Sequence, residues 1–119
     1  MIKVIYSEPE LKDIIESIIG KNFFIFCNSV IFQVLNELDL PARLMNQMTI
    51  IVLPHDNQEM GLAYKTLHAV KLKIQDSPEE NEKTLIHETL HLIKPNWDEE
   101  TTENKTQDLY KKTIKEILI

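Results

Sequence analysis

Five consecutive residues of this chain, His87-Glu88-Thr89-Leu90-His91, have the types and spacing of a metal site that activates water. On a helix, two histidines four residues apart project from one face, so both imidazoles can bind the same tetrahedral zinc ion. Glu88 follows the first histidine directly and can act as general base toward a water that zinc has made acidic. The spacing therefore predicts His87 and His91 as zinc ligands and Glu88 as a catalytic residue. The alternative is an exposed helix with two solvated histidines.

Start and stop signals define the helix that must carry this motif. Ser77 is a favourable N-cap, Pro78 fits the first helical position, and Glu80 completes a capping box. Lys94 is followed by proline, and a residue before proline avoids the α-helical conformation. We therefore predict a helix over about 78–94. Its apolar residues are spread around the circumference, which predicts a mostly buried helix whose histidines and glutamate need partners.

A last helix is predicted over about 99–118, with Asp98 as its N-cap. Its apolar stripe consists of Tyr110, Ile114 and Ile117. In helical projection, this stripe continues toward the N-terminus through acidic residues. Carboxylates on a core-facing side are costly unless a partner neutralises them.

These acidic residues include candidates for a third zinc ligand, because catalytic zinc usually has three protein ligands and one open position. The projected stripe passes closest to Glu99, which we predict as the ligand, with Glu100 as second choice. Glu103 is predicted to bond the other nitrogen of a ligand histidine. An acidic first turn that complements the helix dipole is the alternative.

A half-buried strand is predicted just before the zinc helix, over residues 67–74. Val70, Leu72 and Ile74 alternate with two lysines, which suits the edge of a sheet. An edge strand beside the cleft can bind an extended peptide by adding it to the sheet.

With these elements in place, the chain resembles the gluzincin metallopeptidases, and most of all their minimal members, the minigluzincins. The resemblance covers about residues 61–106, from Gly61-Leu62-Ala63-Tyr64 through the histidine motif to Glu99-x-x-x-Glu103. Gluzincins carry an aspartate where this chain has Glu103. The resemblance implies a zinc-dependent peptidase, with Glu88 as general base and a peptide or protein as substrate. An endopeptidase is favoured, because no further motif for binding a free N-terminus is visible.

The resemblance also implies that such small chains can be latent, with a C-terminal segment lying in the cleft, as in a zymogen. The apolar tail Ile117-Leu118-Ile119 is the candidate segment, although it can equally end a core helix. Two further alternatives remain open. The chain is either an inactive or structural zinc-bearing interaction domain, or a metal-free module in which the motif is accidental.

Residues that stabilise the oxyanion formed when water attacks an amide are harder to assign. Gluzincins commonly use a tyrosine or a histidine. His68, at the start of the predicted strand, is the first candidate, and Tyr64 and Tyr110 are the others. His55 lies in a polar loop and is expected to be solvated.

The fold class predicted from all elements is α+β, in one zincin-like domain over residues 1–119, with 1–60 as scaffold. A small mixed sheet, with its edge strand over the cleft, is expected to be flanked by helices that open near Ser7 and near Asn28. Its three or four strands are expected near residues 1–6, 23–27, 49–53 and 67–74.

Composition argues against several classes of partner and location. The net charge of -6 argues against nucleic acid and acidic membranes as partners. The apolar runs are too short for a signal peptide or a membrane span. The single cysteine, Cys27, excludes an internal disulfide and is expected to be a buried small hydrophobe. We therefore expect a cytoplasmic protein.

Overall fold

The helices and strands lie close to the predicted positions, with one exception in the first half of the chain. The computed structural model of the protein describes residues 1–56 and 69–118, with side chains as far as residue 112. The described elements are, in chain order, β1 (Lys3–Tyr6), α1 (Leu11–Ile19), α2 (Phe23–Glu37), a 3-10 helix (Ala42–Gln47), β2 (Thr49–Leu53), β3 (Ala69–Lys73), α3 (Pro78–Ile93) and α4 (Glu99–Leu118). Together they form a small α+β domain.

The sheet has the order β1-β2-β3, and both described strand pairs are parallel. The prediction of a mixed sheet is therefore wrong for the described strands. A parallel pair needs a crossover connection, and α1 and α2 supply it between β1 and β2. β3 lies at one edge of the described sheet, as predicted, and its Val70 and Leu72 are buried.

The prediction of a strand near residues 23–27 is also wrong, because this apolar run is the first turn of α2. Asn22 caps the helix: its side-chain oxygen accepts a hydrogen bond from the Ile25 amide at 3.0 Å. A short apolar run has no period that separates a strand from a buried helix. The buried side chains of α2 follow the helical period, and they are Phe23, Phe26, Cys27, Val30, Ile31, Val34 and Leu35.

The central strand β2 is buried on both sides of the sheet, as expected for parallel strands. Ile50 and Val52 belong to the main hydrophobic core. Ile51 and Leu53 point to the opposite face and are equally buried. The core also includes Leu85 of α3, so packing of this side chain helps to hold α3 against the rest of the domain.

α3 begins and ends as its signals predict. The Ser77 hydroxyl accepts a hydrogen bond from the Glu80 amide at 3.2 Å, and the helix ends one residue before Lys94. From Asn81 to Lys94, each residue is buried or half-buried. The prediction of a mostly buried helix is confirmed.

A buried amide that the sequence did not reveal joins the start of α3 to the end of β3. The side-chain oxygen of Asn81 accepts a hydrogen bond from the Gln75 amide at 2.9 Å, and its nitrogen donates to the Gln75 carbonyl at 3.0 Å. The same nitrogen donates to the Ser77 carbonyl at 2.9 Å. Because Asn81 is fully buried, these bonds fix the orientation of α3 relative to the sheet.

No single helix in the described part of the chain is long and apolar enough to cross a membrane. α1 and α2, bent by 62° relative to each other, would meet that requirement only as a pair and only by length and composition.

Candidate metal centre

The two histidines of α3 project from one face of the helix and meet. Their Nε2 atoms lie 3.0 Å apart, and their ring planes are inclined by 75°. The side chain of His87 is 16% exposed and that of His91 is 33% exposed. Both imidazoles are therefore partly shielded, with their Nε2 atoms directed toward a common point.

The side chain of Glu99 closes this arrangement from α4. Its Oε1 lies 2.7 Å from Nε2 of His87, and its Oε2 lies 3.0 Å from Nε2 of His91. The three residues offer ligand atoms within 4.8 Å of one another, so they form a group that could hold a metal ion.

A short connection brings the first turn of α4 next to the histidines. The Trp97 amide donates a hydrogen bond to the Lys94 carbonyl at 3.1 Å, which turns the chain directly after α3. Asp98 then caps α4: its Oδ1 accepts from the Thr101 amide at 2.7 Å. Hydrogen bonding to the Thr101 side chain, together with this bond from its backbone amide, lowers the pKa of the Asp98 carboxyl. The cap sets the start of the helix, and Glu99 is the first helical residue.

Glu103, one turn beyond Glu99, contacts the opposite nitrogen of the same histidine. Its Oε2 lies 2.9 Å from Nδ1 of His87, and its Oε1 accepts a hydrogen bond from the side-chain nitrogen Nε2 of Gln107 at 2.8 Å. A carboxylate at Nδ1 holds the ring proton there, so Nε2 of the neutral imidazole presents a lone pair. The hydrogen bond between Gln107 and Glu103 was not predicted from the sequence, although residues at i and i+4 are neighbours on a helix surface.

This donor set suits a cation. The Nε2 lone pair of His87 faces a carboxylate oxygen of Glu99, and two acceptors this close repel each other unless a proton or a cation lies between them. Zinc bonds of about 2.0–2.2 Å in a tetrahedral site place neighbouring ligand atoms about 3.3–3.6 Å apart. The observed separations of 2.7–3.0 Å would need to widen by about 0.3–0.9 Å to reach these values. Movement of the exposed Glu99 side chain can widen its two contacts, whereas the separation of the two Nε2 atoms widens by rotation of the imidazole rings.

The helical projection that led to Glu99 and Glu103 was wrong in one respect. Their side chains are 72% and 52% exposed, so they do not face the core. The buried side of α4 is formed by Thr102, Thr106 and Leu109, and the two carboxylates lie at its border, next to α3. The side chains of the predicted stripe beyond residue 112 lie outside the described part of the chain.

The other predicted site residues are placed as follows. Glu88 is half-buried beside His87 on α3. Glu100, the second choice for third ligand, is not in the group that could hold a metal. His68 and Tyr64 lie outside the described residues, as does the side chain of each residue in the tail over 117–119.

Two further candidates have other roles. Tyr110 is half-buried, and the ammonium of Lys83 lies 4.9 Å from the centre of its ring. Burial raises the pKa of the Tyr110 hydroxyl. His55 is exposed, as expected for a loop, but its Nδ1 lies 3.0 Å from the Ile74 carbonyl oxygen, so it is tied to the backbone after β3.

Cys27 is fully buried in α2, as predicted. Burial raises the pKa of its thiol, because the charged thiolate would lose its hydration. A buried, protonated thiol is a poor nucleophile, so Cys27 belongs to the core.

Replacing Glu103 by alanine is expected to lower the affinity of this group for a metal ion such as zinc by about 10–100-fold, the usual cost of losing a carboxylate that orients a ligand histidine. The change leaves Nδ1 of His87 without its acceptor at 2.9 Å. Competition titration against a chromophoric chelator measures the effect. Asn104→Ala, at the exposed neighbouring position, is the matched control. Equal affinities in the two variants would show that Glu103 does not orient His87.

Comparison with known proteins adds no assignment: the chain matches no protein-family model, no curated protein and no solved structure. The geometry of the described residues therefore carries the functional argument.

Proposed function

We propose that the protein is a zinc-dependent peptidase of the gluzincin type, in which α3 and α4 form the metal-binding helix pair of a zincin-like domain. One observation carries the proposal: His87, His91 and Glu99 converge within 4.8 Å, while Glu103 contacts the other nitrogen of His87. Two imidazoles and one carboxylate are a known ligand set of catalytic zinc, and three protein ligands leave a position for water or substrate.

Zinc is favoured over other cations by the donor atoms. Calcium and magnesium prefer oxygen ligands, whereas two imidazole nitrogens suit zinc and its transition-metal neighbours. The HExxH spacing on α3 agrees with this choice, because Glu88 adjoins the first ligand. When bound, zinc supplies Lewis-acid chemistry: it lowers the pKa of water to near neutrality and polarises a carbonyl group.

The residues of this chain would then move the proton and hold the peptide. The Glu88 carboxylate takes a proton from the attacking water and returns it to the nitrogen of the departing amine. The Glu103 carboxylate keeps His87 in the orientation and tautomer that present Nε2. β3 lies at an edge of the described sheet. We propose that an extended peptide pairs with β3 as a further strand.

A structural zinc site is the second candidate function. The observation that favours it is the distribution of the ligands, because the histidines lie on α3 and Glu99 lies on α4. A metal held by these side chains ties the two helices together whether or not hydrolysis follows. The two functions differ in whether the metal-loaded protein cleaves peptides.

Metal analysis combined with a peptide-library screen tests the proposal. Protein purified without chelator or added metal is expected to contain about one zinc per chain, because the site has three ligands. Peptide cleavage, followed by mass spectrometry, is expected to stop with 1,10-phenanthroline and to return with zinc. Zinc without cleavage would favour the structural function. A folded protein that takes up no added zinc would exclude both.

A further inference from the structure

The contact between α4 and the rest of the domain is poor in apolar anchors. From Glu99 to Lys112, the buried side chains are Thr102, Thr106 and Leu109. α2, in contrast, buries seven side chains, all of them apolar. Packing alone therefore holds this part of α4 much less firmly than it holds α2.

The two buried threonines do not attach α4 to α3 through their hydroxyl groups. The Thr102 hydroxyl donates to the Asp98 carbonyl at 2.9 Å, and the Thr106 hydroxyl donates to the Thr102 carbonyl at 2.8 Å. Both bonds remain within α4 and its cap. They satisfy the buried oxygens without joining the two helices.

Among the described side chains of α4, as far as residue 112, the polar contacts that cross to α3 are concentrated at the candidate metal centre. Glu99 contacts both histidines, and Glu103 contacts His87. Elsewhere, the Lys83 ammonium lies over the Tyr110 ring. An exposed ion pair between Lys112 and Glu37 joins α4 to α2 at 2.9 Å, but exposed pairs of this kind stabilise little.

We propose that metal binding and the docking of the N-terminal part of α4 onto α3 are one coupled equilibrium, in which a zinc-like divalent cation holds α4 in place and its loss releases α4. The coupling rests on the metal centre of the proposed function. With the cation bound, the two histidines of α3 and Glu99 of α4 would bind the same ion, and this would join the two helices. Without it, the link at this point is the contact of Nε2 of His87 with Oε1 of Glu99 at 2.7 Å, and the Glu99 side chain is 72% exposed, so water competes for this contact and it stabilises docking little.

The coupling gives α4 a second role, as a conformational reporter of metal loading. His87 and His91 are on α3, so the ligand set is complete only when α4 is docked. An undocked α4 leaves the histidines open to an entering cation, and capture of Glu99 closes the site. The protein would thus respond to the availability of zinc by ordering its last helix. Any ligand that binds only one of two conformations shifts the equilibrium toward that conformation.

Hydrogen exchange with mass spectrometry tests the coupling on the full chain at constant pH, with zinc chloride and with zinc removed. Backbone amides of α4 between Glu103 and Lys112 are expected to exchange at least about tenfold faster without zinc, because local release exposes them. Amides of α2 and β2 are expected to keep their protection in both samples. Their protection shows in the same data set that the domain is still folded.

Two variants sharpen the test. Glu99→Ala is expected to show fast exchange in α4 even with zinc present, since the ligand from α4 is missing. Glu100→Ala, in the same exposed turn, is expected to respond to zinc as the wild type does. Zinc content is measured in each sample.

Three results would overturn the inference. If zinc binds stoichiometrically and α4 is equally protected with and without it, the coupling is absent while the proposed function stands. If exchange accelerates in α2 and β2 as much as in α4, the metal supports the whole fold and does not act on α4 in particular. If no zinc binds, the coupling and the proposed function both fail.

Discussion

Replacing Glu88 by glutamine is expected to reduce the proposed peptide hydrolysis by about 10²–10⁴-fold and to leave about one zinc per chain. Glutamine has the size of glutamate but cannot accept the proton of the attacking water. General base catalysis usually contributes about 10²–10⁴-fold to the rate, and a loss in this range is expected. Glu88 is half-buried on α3 and is not a member of the His87, His91 and Glu99 group, so metal binding is not expected to depend on it.

The measurement pairs initial rates on the best peptide of a library with zinc content of the same preparation. Glu79→Gln is the matched control, because it makes the same chemical change at an exposed position in the first turn of α3. This control is expected to retain both zinc and activity. A Glu88→Gln protein that retains zinc and full activity would refute the assignment of Glu88 as general base.

Replacing Glu99 by alanine is expected to cause the largest loss of zinc affinity among single changes in α4. The variant keeps the two imidazoles but removes the carboxylate. Oε1 of this carboxylate lies 2.7 Å from Nε2 of His87, and Oε2 lies 3.0 Å from Nε2 of His91. Loss of an orienting carboxylate costs about 10–100-fold, and loss of a direct ligand is expected to exceed that range. Hydrolysis is expected to fall with zinc occupancy and to recover in part at high zinc concentration.

Glu100→Ala provides the comparison for this loss. Glu100 has the same charge, lies in the same first turn and is also exposed, but the group that could hold a metal does not include it. Its removal tests whether affinity comes from a specific ligand or from the general negative charge of the turn. Competition titrations that place the two variants at equal affinity would show that Glu99 is not a ligand.

Local signals in the sequence were sufficient for the elements that carry the site. The cap at Ser77 and the proline after Lys94 define α3, and the Asp98 cap defines the start of α4. Alternation predicted β3, and the HExxH spacing placed His87 and His91 on one face. Each of these signals acts over a few residues, through backbone hydrogen bonds or side-chain period, so no distant part of the chain is needed to interpret it.

Tertiary structure decided what depends on contacts between distant segments. The apolar run over residues 23–27 forms the start of a helix whose buried side chains pack into the core. Five consecutive apolar residues do not by themselves distinguish this helix from a strand. Parallel pairing of the strands likewise depends on the crossover through α1 and α2 and on no local feature.

The candidate site shows the same division. Its residue types and the spacing of His87 and His91 are properties of the sequence. The choice of Glu99 over Glu100 depends on how α4 approaches α3, and the projection of α4 alone wrongly turned Glu99 toward the core. That approach is set by the turn after Lys94 and by the burial of Thr102. Helical period fixes directions within one helix, whereas the angle between two helices is fixed only by the surfaces that pack.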